Sequence, residues 1–149
     1  MTLSHYIQSI ICLVLLTSLP VISCAENTAE FGDYLIHFNA LSTDTLLPAV
    51  ARAYEIRRSK NRGMVNIVVQ KKTSSGAKGV TAKITGTGVN MSAQLKRLEF
   101  NEIKDADVIY YIADFRITHK EMMKFKLEVT PEGSDLSYPI EFQQVFYIH

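Results

Sequence analysis

Four cations fall within six residues at Arg57, Arg58, Lys60 and Arg62, with only Ser59 and Asn61 between them. Forked guanidinium donors at that density suit a phosphate, a carboxylate or an anionic lipid headgroup, and the competing reading is a solvated loop whose arginines pair with acids elsewhere. Nucleic acid is excluded as a partner: the whole chain carries 16 Lys plus Arg against 15 Asp plus Glu, a net charge of +1, and no basic stripe with interleaved aromatics accompanies the run.

Other chemistry is sparse. His37, His119 and His149 lack the close spacing or the Cys partners of a zinc site. His119 is followed by Met122 and Met123, and imidazole with thioether is the donor set copper(I) prefers, although methionine beside a strand start also serves as core filler. No Gly-x-Ser-x-Gly elbow occurs, and no cysteine lies beyond Cys24, so nucleophilic catalysis is disfavoured. Two carboxylate pairs, Asp105 with Asp107 and Glu99 with Glu102, could share acid and base duties; for the first, a turn in which Asp bonds its own backbone is the simpler account. Gly86-Thr87-Gly88 lacks the lysine and following helix of a phosphate loop, and Asn90-Met91-Ser92 is a glycan sequon that matters only in a eukaryotic secretory cell. No cofactor is expected.

The elements that must position these residues are mostly strands. A period of two runs through Asp33 to Ala40, Gly63 to Lys71, Gly79 to Val89, Asp107 to Ile117, Met123 to Thr130 and Tyr138 to Tyr147, with Leu95 to Ile103 a weaker seventh. The segment from Asp107 is apolar on both faces at its start, which places it centrally in a sheet. Tyr110 and Tyr111 suit the tyrosine that sandwich domains use to bond a neighbouring turn. His37 reads as a surface or rim histidine. Turn residues fill the gaps, and one short helix is expected over Thr45 to Tyr54, with Pro48 in its first turn and Thr45 or Asp44 as cap. About seven short strands with regular punctuation predict an all-β, immunoglobulin-like antiparallel β-sandwich with one short helix, a small barrel being the alternative.

The first 25 residues contain no Lys, Arg, Asp or Glu. An apolar run from Ile10 to Leu16, a breaker at Pro20 and the small residues Ser23 and Ala25 read as a signal peptide cut after Ala25, leaving residues 26–149 as a single domain. An uncleaved anchor is the weaker alternative, because Gln8, Ser9, Thr17, Ser18 and Pro20 interrupt the apolar stretch. A second route is open: Val21-Ile22-Ser23-Cys24 resembles a lipoprotein box, in which Cys24 would be lipidated. Cys12 and Cys24 both lie in the leader, so the exported domain has no thiol and must fold by packing alone. Membrane contact is expected only if Cys24 is lipidated or the leader stays.

Phe31-Gly32-Asp33-Tyr34, His37-Phe38-Asn39-Ala40, Arg58-Ser59-Lys60-Asn61-Arg62, Thr85-Gly86-Thr87-Gly88, Tyr110-Tyr111-Ile112-Ala113-Asp114-Phe115 and Phe142-Gln143-Gln144, in that order, resemble the bacterial family catalogued as domain of unknown function 4426. The resemblance spans about residues 31 to 147 and implies an exported, immunoglobulin-like β protein of Gram-negative bacteria, probing no reaction and lending no ligand or catalytic residue. Two functions follow as expectations. The first is a non-enzymatic periplasmic module that binds or scaffolds an unidentified envelope protein or anionic ligand, through a sheet edge or the basic link. The second is a small enzyme or copper carrier with a loop-built site at His119 and Met122 or at the Asp105 and Asp107 turn.

Overall fold

The computed structural model describes residues 27–148. The leader, with Cys12 and Cys24, and the last residue, His149, lie outside the described residues. Ten strands follow one another: β1 (Thr28–Phe31), β2 (Tyr34–Ser42), β3 (Arg62–Thr73), β4 (Gly76–Gly79), β5 (Ala82–Asn90), β6 (Leu95–Leu98), β7 (Asn101–Asp105), β8 (Val108–Arg116), β9 (Glu121–Pro131) and β10 (Tyr138–Phe146). They form two antiparallel sheets: six strands in the order β1-β2-β3-β8-β7 with β4 on β3, and four in the order β10-β9-β5-β6. The result is a sandwich, as expected, with no barrel closure.

The alternation read from the sequence faces inward as the periodicity dictates. Ile36, Val65, Ile67 and Val69 of one sheet meet Met123, Phe125, Leu127 and Val129 of the other, all but fully buried. Phe115 bridges the layers, edge-on to Phe146 at 5.7 Å and tilted against Phe125 at 5.5 Å between ring centres. Among the described residues the core is drawn from those between Ala29 and Phe146, all of which a chain beginning at Glu26 retains.

Ten strands rather than about seven have local causes. β1 and β4 have four residues each, too few to display a period, and β4 is the glycine-flanked return of a hairpin in which Thr73 faces Gly76. The weak seventh segment is two strands. Leu98 ends β6 against Gly86 in one sheet, Glu99 and Phe100 cross over, and Asn101 begins β7 against Ile112 in the other. The crossing breaks the alternation, which is why the pattern there was faint.

The long link between β2 and β3 holds a 3-10 turn (Thr43–Thr45) and one short helix, α1 (Pro48–Ala53). Pro48 occupies the first turn, as anticipated, but neither Thr45 nor Asp44 caps it: Leu47 stands at the cap, and the Thr45 hydroxyl donates to the Ser42 carbonyl at 2.7 Å. The stretch after α1 lies over the outer face of the larger sheet. Tyr54 packs on Tyr110 with ring centres 6.1 Å apart, and Ile56 lies with Ile103 and Ile112. This cover explains why β8 begins apolar on both faces, and β8 is indeed interior to its sheet. Among the described residues no helix is long and apolar enough to cross a membrane.

Candidate functional site

Strand direction sorts the connections into two ends. The link after β2, the β5–β6 turn, the β8–β9 turn and the chain after β10 share one end, because β2, β5, β8 and β10 all finish there. The basic run belongs to this end. Arg57 and Arg62, with Ser59, Asn61, Arg116, Ile117 and Thr118, line an open cleft of about 390 Å³.

Its floor is held by hydrogen bonds that do not involve the guanidinium groups of Arg57 and Arg116. Buried Thr43 fixes Ser59 twice, donating through its hydroxyl to the Ser59 carbonyl at 3.2 Å and accepting from the Ser59 N–H at 3.0 Å. The Ile117 N–H donates to the Asn61 carbonyl at 3.0 Å, joining the link to the end of β8. Below lies Glu121, of which only 8% is exposed. It accepts from the Thr118 N–H at 2.7 Å, from Asn90 Nδ2 at 2.8 Å and from Lys96 Nζ at 3.1 Å, while Lys96 also donates to the Arg116 carbonyl at 2.6 Å. Burial pushes the Glu121 carboxyl up, but the bonds from Asn90, Thr118 and Lys96 outweigh it and hold the group below the ordinary carboxylate range.

The cations differ in what they face. Arg62 is neutralised by Asp114, with Nε donating to Oδ2 at 2.6 Å. Arg58 turns away and donates to the Asp44 carbonyl at 2.7 Å. Lys60 is exposed and does not line the cleft. Arg57 and Arg116 line it with no carboxylate partner among the described residues. Arg116 was missed by sequence reasoning. It stands directly opposite Arg62 in the β3–β8 register, where Asp114 is taken up by Arg62. The only signal in the sequence was its solvent-side place in the β8 alternation.

The remaining candidates are not assembled into a site. His119 commits Nδ1 to the backbone of Ile148, 3.0 Å from its carbonyl oxygen, and sets its ring edge-on to Tyr147. Met122 is half-buried opposite Val145 on the outer face of β9, and Met123 is core. No group of three or more His, Cys, Asp or Glu among the described residues could hold a metal ion. The turn expected at the Asp105 and Asp107 pair is present over Ala106 and Asp107, while Asp105 Oδ2 accepts from the Tyr54 hydroxyl at 2.6 Å and so pins α1's trailing segment. Glu102 accepts from the Tyr111 hydroxyl at 2.7 Å, and Glu99 lies in the crossing between sheets. Tyr111 also accepts from the Ala82 N–H at 2.8 Å, tying β8 to the start of β5, which is the turn-bonding role foreseen for this tyrosine pair. Its hydroxyl is pushed up to about 12 by burial and by the bond to Glu102. His37 is a rim histidine between Thr28 and Gln70, at 2.9 and 3.0 Å. Gly86 and Gly88 sit inside β5, where a Cβ would strike Leu127 and Met123.

Residues 28–149 match the family model described as "Domain of unknown function (DUF4426)". A solved DUF4426 family protein from Pseudomonas aeruginosa PAO1 is similar to the chain at 29% identity and a TM-score of 0.70, covering 82% of this chain and 94% of its own. FetP of uropathogenic Escherichia coli strain F11, recombinantly expressed in the E. coli periplasm, shares the fold at 9% identity and a TM-score of 0.56, over 80% of this chain and 92% of that one. A copper-bound FetP variant aligns at 12% identity and a TM-score of 0.58, over 82% and 95%. No curated protein matches the chain.

Proposed function

Since the chain belongs to the DUF4426 family, a family of unknown function, we propose that it is an exported, non-enzymatic module of the cell envelope that binds an anionic group in the Arg57–Arg116 cleft. One observation carries this reading: two guanidinium groups face the same open cleft with no carboxylate partner among the described residues, while their neighbours Arg62, Lys96 and Arg58 are all satisfied. Such groups are forked donors awaiting acceptors, and a tetrahedral or planar oxyanion supplies them. The backbone N–H groups of Ile117 and Thr118 are already used, so recognition falls to side chains: the two arginines, Asn61, and the hydroxyls of Ser59 and Thr118.

Export rests on the uncharged 25-residue leader and the cysteine-free remainder. The mass of the amino terminus of protein from its native host distinguishes cleavage before Glu26 from a lipidated Cys24, and a polypeptide with Met1 intact, dissolved in the cell interior, would refute export. For the site, titration with inorganic phosphate at low ionic strength should shift the amide resonances of Ser59 to Arg62 and of Arg116 to Thr118. Arg57→Ala with Arg116→Ala should weaken binding at least tenfold, and Arg58→Ala should leave it unchanged. Equal binding by the double variant would remove the cleft from consideration.

Copper carriage is the second reading, supported by an exposed His119 close in sequence to Met122 and by the copper-bound FetP variant of the same fold. Copper bound stoichiometrically, and lost in His119→Ala, would put this reading in place of the first.

A further inference from the structure

We infer that the basic end of the sandwich docks onto an anionic lipid bilayer surface, with Arg57 and Arg116 on headgroup phosphates and a set of exposed apolar side chains entering the interface. This rests on the anion-binding reading of the cleft and gives that anion a source.

The apolar surface is distributed unequally. Among the described residues five large apolar side chains are strongly exposed, and four of them, Leu47, Met91, Leu95 and Tyr147, belong to the end that holds the cleft. Single exposed apolar residues are ordinary on a soluble domain, but their concentration beside unpaired cations is the pattern of an interfacial surface. Met91 is 74% exposed and Leu47 70%, so neither serves the core.

Cations concentrate at the same end. Arg57, Arg58, Lys60, Arg116 and Lys120 face solvent there, Asp114 and Glu121 are already paired with Arg62 and Lys96, and Asp44 is the remaining acid among the described residues. Glu55 of the link lies up the sheet face beside Ile103 and Ile112. The turns of the opposite end carry Asp33, Asp107, Glu132 and Asp135, but exposed Lys71, Lys72, Lys78 and Lys104 flank them in the adjoining strand ends, so that end is mixed in charge. A negative surface therefore favours the basic end facing inward.

The apolar tip is rigid before it docks. Asn90 Oδ1 accepts from the N–H groups of Ser92 and Gln94, at 3.1 and 2.9 Å, and its Nδ2 donates to Gln94 and Glu121. The turn that presents Met91 is thus fastened to the same carboxylate that supports the cleft, and little ordering cost falls on binding.

The test uses protein beginning at Glu26 and flotation with vesicles of phosphatidylglycerol and phosphatidylcholine, against phosphatidylcholine alone. Binding should require phosphatidylglycerol and weaken with added salt. Arg57→Ala with Arg116→Ala should lower vesicle affinity on the order of twentyfold and abolish the phosphate-induced shifts. Leu47→Ser with Met91→Ser should lower vesicle affinity about tenfold while leaving those shifts intact, which separates a bilayer from free phosphate. Phosphate shifts without vesicle binding would overturn the docking proposal, leave the cleft as a site for a soluble anion or an acidic protein, and so spare the reading it rests on. Vesicle binding and phosphate-induced shifts that both persist in the Arg57→Ala, Arg116→Ala variant would overturn both.

Discussion

Replacing Glu121 by Gln tests whether the buried carboxylate holds the basic end together. The side chain keeps its shape, but one oxygen becomes an NH₂ group. Three donors converge on the native carboxylate: the Thr118 N–H on Oε2, and Asn90 Nδ2 and Lys96 Nζ on Oε1. Whichever way the amide is turned, its NH₂ faces at least one of them, and a buried N–H left without an acceptor costs about 1–3 kcal/mol. The surviving bonds also lose their charge assistance, about 1 kcal/mol more. The expected loss is about 2–4 kcal/mol, a large share of the roughly 5–15 kcal/mol that holds a typical domain folded. In urea the midpoint should fall by about 1–2 M with an unchanged slope. The pH dependence supplies a second check. Because the native carboxyl titrates below its unfolded value, its contribution is complete above about pH 5 and is lost as pH falls through the unfolded and then the folded value. The gap between the native protein and the variant should therefore close on acidification. A loss below about 0.5 kcal/mol at neutral pH, or a gap that persists in acid, would refute the view of Glu121 as an ionised keystone.

Tyr111→Phe should cost about 1–3 kcal/mol in urea denaturation, since it strands the Ala82 N–H and removes the donor to Glu102. In an absorbance titration of the native protein, one tyrosine should resist ionisation until about pH 12, and that component should vanish in the variant. Gly79→Ala should cost about 1–3 kcal/mol, because a Cβ would lie 2.7 Å from the Asp107 carbonyl oxygen, with backbone on both sides. Arg58→Ala, which removes one exposed bond to the Asp44 carbonyl, should change stability by less than about 0.5 kcal/mol.

Much of this architecture was legible before any coordinates. Wherever a strand runs nine residues or more with one face wet, as in β2, β3, β8 and β9, the pleat forces apolar and polar side chains to alternate, and the inward set can be named from the letters alone. The same holds for the absence of a thiol beyond the leader and for the basic run itself, since both are properties of composition and neighbourhood. What escaped was everything short or shared. β1 and β4 are too brief to show a period, and the sheet-switching segment at Glu99 and Phe100 obeys two faces at once.

The cleft belongs to the second category. Arg57 and Arg62 announce themselves as neighbours, yet Arg116, more than fifty residues on, reaches them only because β3 pairs with β8 in a register that sets Arg62 against Arg116. The same pairing gives Asp114 to Arg62, and thereby decides which guanidinium groups are left open. Local sequence dictates which face of a strand a side chain takes, because that depends on backbone geometry two residues at a time. Which distant side chains share that face depends on how strands dock across the core, and only the folded chain decides it.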